Sequence, residues 1–179
     1  MHRLFVAIDL PEDIKLAIGS LRCPLPGAKW VAEAQIHLTL RFIGDVDDEL
    51  SKMIVASLSG IAAAPFSLAI QGVGCFPPKR DPKVLWVGVD VRSALLDLQS
   101  AIEKALVRNG LEPEGRPFSP HITVARLKET SEARVASFLQ QYAGFATCSF
   151  PVTQFILYSS TLTPQGAIYR QEALFPLRR

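Results

Sequence analysis

Scarce cysteine, no long apolar run and almost no net charge set the first limits on this chain. Cys23, Cys75 and Cys148 are odd in number, far apart and in no Cys-x-x-Cys spacing. They read as small apolar residues of a reducing compartment, with no disulfide expected. No stretch approaches the roughly twenty apolar residues that a membrane helix needs. The short apolar stretch after the initiator Met1 ends at Pro11 and acidic residues, which is too brief for a signal peptide. A cytoplasmic protein without a membrane partner is expected. A net charge of +2 excludes wholesale coating of nucleic acid, yet leaves room for a local positive cleft that faces phosphate.

What is present is ordinary for a folded domain: 49% hydrophobic and 20% charged residues over 179 positions. A chain of this length buries roughly two-thirds of its unfolded surface, so it needs neither disulfide nor metal to fold. "LFVAIDL" at 4–10 reads as a buried strand, and Pro11 opens a helix bearing Ile14, Ala17, Ile18 and Leu21. "IHLTLRFI" alternates strictly and reads as a strand. Asp45, Asp47 and Asp48 lead into a second helix, where acids suit the N-terminus. "FSLAIQGVG" reads as one strand and "CFPPKRDPK" as a loop.

From residue 84 the order starts again. "VLWVGVDV" is a strand, Ser93 is placed to cap a helix that Gly110 ends, and the loop "EPEGRPFSP" leads into the strand "HITVARL". Thr130 or Ser131 caps a fourth helix, and "VTQFILYSS" and "AIYRQEALF" close the chain as two strands. Two stretches of about 1–76 and 83–179 thus repeat one architecture within a single domain. If a pseudo-two-fold axis relates the two stretches, the strands "IHLTLRFI" and "HITVARL" face each other across a central groove.

Apart from His2, the only histidines are His37 and His121, and each opens a His-apolar-Thr-apolar tetrapeptide. A strand alternates its faces, so His37 shares one with Thr39, and His121 shares one with Thr123. Two imidazoles of ordinary pKa near 6.5 can divide general acid and general base work. Two hydroxyls can steady an anion between them. In-line displacement at a phosphodiester wants that set, and it wants no metal. A lone histidine or threonine on a strand is commonly structural; the recurrence of the pattern in both halves argues for chemistry. Two histidines without neighbouring Cys or carboxylates make a poor metal site. Ser119 sits in no strained Gly-x-Ser-x-Gly turn, and the glycines of "GVG" at 72–74 read as a bulge or turn.

"HLTL" and "HITV" resemble the paired motifs of the 2H phosphoesterases. "RLFVAIDLP", "HLTLRFIGDV", "VLWVGV", "RPFSPHITVAR" and the closing "GAIYR" and "FPL" resemble the RNA 2′,3′-cyclic phosphodiesterases, also called 2′-5′ RNA ligases. The resemblance covers essentially the whole chain. It implies an α+β, bilobal, pseudo-two-fold duplicated fold, with antiparallel sheets flanking a central cleft and helices outside, and metal- and cofactor-free hydrolysis of a 2′,3′-cyclic phosphate, on RNA ends or small nucleotides, to a 2′-phosphomonoester. It implies His37 as the acid for the leaving 3′ oxygen, His121 as the base that activates water, and Thr39 and Thr123 as phosphate holders. It also gives Arg126 a role toward an anionic substrate. By alternation Arg126 would face away from His121, so this role requires a bulge or twist at Ala125. Phe42 stands in the equivalent place after His37, as a stacking surface for a base or as core. Arg41, on the face of His37 by parity, is a phosphate contact or a rim charge. A monomer is expected. Rival readings are opening of another cyclic phosphate, such as an ADP-ribose cyclic phosphate, reverse 2′-5′ ligation, and an RNA-binding module with degenerate catalysis.

Overall fold

The computed structural model describes residues 1–78, 80–164 and 166–178. In chain order it forms β1 (His2–Asp9), α1 (Glu12–Gly19), β2 (Ala28–Trp30), a 3-10 turn at Glu33–Gln35, β3 (His37–Val46), α2 (Asp48–Ser59), β4 (Phe66–Leu68) and β5 (Ile70–Phe76). Then follow β6 (Val84–Val89), α3 (Ser93–Arg108), β7 (His121–Leu127), α4 (Glu132–Gln141), β8 (Phe150–Val152), β9 (Gln154–Thr163) and β10 (Gly166–Pro176). The protein is α+β, and every strand pairing in its sheets is antiparallel.

One four-stranded sheet runs β10-β9-β1-β3, and the other runs β2-β7-β6-β5. In each, a central strand that leads into a helix, β1 or β6, pairs with a motif strand, β3 or β7. On its other side the central strand takes a strand from the opposite stretch of the chain: β1 takes β9, and β6 takes β5. The two stretches therefore exchange a strand. That exchange splits two runs that read as single strands: "FSLAIQGVG" breaks at Ala69 into β4 and β5, and the run from Val152 breaks at Thr153 into β8 and β9. The freed pieces β4 and β8 pair with each other.

The core is continuous across both sheets. Leu4, Val6 and Ile8 of β1, Leu58 of α2, and Leu98, Ile102 and Leu106 of α3 are all buried in it. Asp47 caps α2, its carboxylate accepting from the Leu50 N–H at 2.8 Å, with Asp48 and Glu49 in the first turn where the helix dipole favours them. Gly110, at φ +85°, follows the last turn of α3 and stops it. Two expected caps differ. Ser93 is already the first helical residue, and Ser131 occupies the N-cap of α4 without a side-chain bond.

Candidate active site

The two motif strands open onto one cleft of about 810 Å3, which His37, Thr39, His121 and Thr123 all line. What fixes them there is the other face of each strand. Leu38, Leu40, Ile122 and Val124 are buried in the core, and each such side chain contributes about 1.5–3 kcal/mol. The strands are therefore held by their apolar faces, and the polar faces are left for chemistry. His2 lies elsewhere, against Asp48 Oδ1 at 2.7 Å.

Strict alternation fails at the same place in both motif strands. In β3, Thr39 pairs with Ala7 and Arg41 with Val6, so Leu40 is an extra residue. In β7, Thr123 pairs with Trp86 and Ala125 with Leu85, so Val124 is extra. Each bulge moves the residue five positions after the histidine onto the cleft face. Phe42 is thus 46% exposed and lines the cleft, with the Arg3 guanidinium 5.3 Å from its ring centre; it does not pack in the core. Arg126 lines the cleft as well, through a bulge one residue before the one its role required.

The same slip overturns the expectation for Arg41. Its side chain leaves the face of His37, is only 9% exposed, and places Nε 2.6 Å from Glu103 on α3. Nη1 meets Glu114 at 3.1 Å, and Nη2 donates to the Glu112 carbonyl at 2.6 Å. Arg41 is therefore neither a phosphate contact nor a rim charge. It ties β3 to α3 and to the loop that runs into β7. Glu103 and Glu114 stay 21% and 45% exposed, so losing the guanidinium costs about 1–2 kcal/mol rather than the larger cost of a buried pair, and Arg41→Gln is expected to lower Tm by roughly 2–8 °C. Calorimetry checks this, and an unchanged Tm would show that the network holds nothing.

Each imidazole is oriented by a carbonyl two residues upstream: His37 Nδ1 by Gln35 at 2.7 Å, and His121 Nδ1 by Ser119 at 2.8 Å. A carbonyl only accepts, so Nδ1 carries the proton in both rings, and Nε2 is the nitrogen not engaged by that bond. Ser119 thus serves through its backbone. The Gln35 side chain also donates to the Ala167 carbonyl of β10, which ties the turn before His37 to the β9–β10 hairpin.

Aromatic rings enclose both histidines, and the sequence reading missed them. Phe5 lies 5.0 Å from His37, Tyr169 meets it edge-on at 5.3 Å, and Tyr158 is 6.4 Å away. Phe76 meets His121 edge-on at 4.9 Å and Trp86 lies at 6.5 Å. Trp86 lies across Gly74 of the neighbouring strand, where an added Cβ would stand 2.1 Å from the indole. Gly72, at φ +75°, sits in the bulge of β5. Burial lowers the His37 pKa, against the opposing pull of the Gln35 carbonyl and Asp9. Asp9 is itself paired to the buried Lys15 at 2.9 Å. Burial and the Asp9 charge push the Tyr158 phenol up to about 12, so it stays protonated and moves no proton at neutral pH.

Arg3, Lys29 and Arg126 line the cleft, and among its described lining residues there is no Asp or Glu. An enclosure with cations and no carboxylates concentrates anions. Among the described residues no three His, Cys, Asp or Glu are grouped as metal ligands, and no helix is long and apolar enough to cross a membrane.

A sheet-flanked cleft with two imidazoles, the two motif threonines and three cations is the arrangement of a two-histidine phosphoesterase. The model of the 2′-5′ RNA ligase superfamily matches residues 10–163, and the chain belongs to that family. The RNA 2′,3′-cyclic phosphodiesterase of Archaeoglobus fulgidus is 32% identical over 97% of this chain and 99% of its own. That of Thermotoga maritima is 34% identical over 94% and 91%. Among solved structures, E. coli LigT complexed with 3′-AMP superposes with a TM-score of 0.80 at 29% identity, covering 99% of each chain.

Proposed function

We propose that the protein is a metal-independent RNA 2′,3′-cyclic phosphodiesterase of the cytoplasm, acting as a monomer on RNA or oligonucleotide ends and yielding a 2′-phosphomonoester. The observation that carries this reading is the matched pair of imidazoles, each held at Nδ1 with Nε2 free, in one cleft lined by cations. The names of the full-length relatives support it.

The mechanism follows from the two motifs. Neutral His121 takes a proton from water at Nε2 as its oxygen forms a bond to phosphorus. The bond from phosphorus to the 3′ oxygen breaks in line, and protonated His37 delivers its Nε2 proton to that oxygen. Thr39 and Thr123 donate hydrogen bonds to the non-bridging oxygens as charge builds on them. Phe42 stacks on the terminal base, and Arg126 holds negative charge. Burial favours neutral His37. The anionic substrate supplies the countercharge that restores its imidazolium.

This fixes the direction of the pH dependence. His37 must be protonated, and its pKa in the free protein is lowered. Its share of active protein therefore falls as pH rises through a value below the usual 6.5 or so. With His121 required neutral, kcat/KM is expected to be bell-shaped, with one limb on the acid side of that value. Steady-state rates on a 2′,3′-cyclic nucleotide, measured from pH 4 to 9 in EDTA, test both the profile and the metal independence. Loss of activity in EDTA with recovery on adding a divalent ion would replace this mechanism with a metal-assisted one.

A further inference from the structure

We infer that Lys29 and Arg126 form a second phosphate station, which takes the 5′-phosphate of the nucleotide whose cyclic phosphate lies between the histidines. This rests on the proposed activity and narrows its substrate to cyclic phosphates that carry a 5′-phosphate or a preceding phosphodiester.

Lys29 and Arg126 are direct cross-strand partners in β2 and β7. Side chains so placed have Cβ atoms about 4.5–5.5 Å apart, and like charges there repel. Both are exposed and both line the cleft, where no described carboxylate neutralises them. An anion between them removes the repulsion.

The cations of this protein that serve structure are paired differently. Lys15 has Asp9, and Arg41 has Glu103 and Glu114.

The strand that carries Lys29 is built to stay in place. β2 has only three residues, yet Val31 N–H donates to the Val124 carbonyl at 2.9 Å, and Lys128 N–H donates to the Gly27 carbonyl at 2.9 Å. Gly27 turns at φ +83°, and a Cβ there would stand 2.2 Å from the Lys128 carbonyl oxygen. This bracing fixes an exposed lysine opposite Arg126 at the rim of β7.

Position separates the pair from the reacting phosphate. His121 and Arg126 are five strand residues apart, about 15 Å between their Cα atoms, and Thr39 and Thr123 already face the site between the histidines. The cleft, at about 810 Å3, is near the upper end of the roughly 300–1,000 Å3 of small-ligand sites. It has room for more than one phosphate. A 2′,3′-cyclic mononucleoside phosphate offers one, whereas every RNA end offers a second on the same ribose.

The test compares a nucleoside 2′,3′-cyclic phosphate with the same compound bearing a 5′-phosphate. Binding is measured with the His121→Ala protein, so that no turnover intervenes, and rates are measured with the unmodified active site. The 5′-phosphate is expected to tighten binding about tenfold or more. Lys29→Gln is expected to remove most of that ratio and to lower the salt slope of binding by about 0.7. Lys29→Arg should keep the ratio, as should Lys52→Gln on the outer helix α2. An unchanged ratio in Lys29→Gln, or no preference for the 5′-phosphate to begin with, overturns the station while leaving the proposed activity standing. Failure of the unmodified protein to open either compound overturns the activity, and the binding ratio still decides the station.

Discussion

Replacing either His37 or His121 with alanine is expected to lower turnover of a 2′,3′-cyclic nucleotide by about 10²–10⁴-fold, with the fold retained. The separation of roles within each strand is the reason. Leu38, Leu40, Ile122 and Val124 hold the strands from the buried side, whereas the imidazoles face the cleft. The His37 ring still touches Phe5 and Tyr169, so a loss of about 1 kcal/mol accompanies the change, far short of unfolding. If acid and base act in one step, as proposed, the double variant is expected to be little worse than the poorer single one. Rates and circular dichroism on the same preparations check this. Near-normal activity in either single variant would remove the two-histidine mechanism.

Much of this site was legible because a strand has a period of two and the motif occurs twice. The pairing of His37 with Thr39, and of His121 with Thr123, follows from that period alone, as do the buried neighbours. The helices were legible from apolar spacing and from acids at a helix start, such as Asp47 and Asp48. The roles of Arg41 and Phe42 were not. A bulge is set by register against the partner strand, and the partner is chosen by the whole sheet. "HLTLRFIG" has apolar residues at 38, 40, 42 and 43 and does not reveal where its phase slips. "HITVARL" does carry a sign, since Val124 and Ala125 are adjacent and both apolar, and both prove buried.

β2 leaves no signature in the sequence, because "AKW" follows Pro24, Pro26 and Gly27, and three residues are too few to show a period. The exchanged strands were illegible for a related reason. "FSLAIQGVG" is one apolar run, and only the competition between two sheets divides it at Ala69. The carbonyls of Gln35 and Ser119 leave no trace in residue type, since any residue supplies one. The aromatic enclosure could have been sought: Phe5 lies on β1 and Tyr169 in the quoted "GAIYR". Which ring reaches which histidine depends on the order β10-β9-β1-β3, which nothing local specifies.

Opening of a 2′,3′-cyclic mononucleotide is expected to give the 2′-phosphate and essentially no 3′-phosphate. Both directions use an acid and a base on opposite sides of phosphorus, so two similar histidines do not choose between them. Seating of the nucleotide does, because only the oxygen beside the acid and opposite the attacking water leaves in line. The walls of the cleft differ enough to impose one seating. Beside His37 stand Phe42 with Arg3 over its ring, and the edge of Tyr169. Beyond His121 stand Arg126 and Lys29. A base that stacks on Phe42 fixes one end of the nucleotide, and the cyclic phosphate between the histidines fixes the other. Phosphorus NMR of the product reads the outcome directly. A 3′-phosphate would mean that the substrate lies the other way round, and would exchange the roles of His37 and His121. An even mixture would mean that Phe42 does not seat it, and Phe42→Ala would then leave the product ratio unchanged. If the seating holds, Phe42→Ala erodes the preference by letting the base swing, while the two imidazoles continue to cleave.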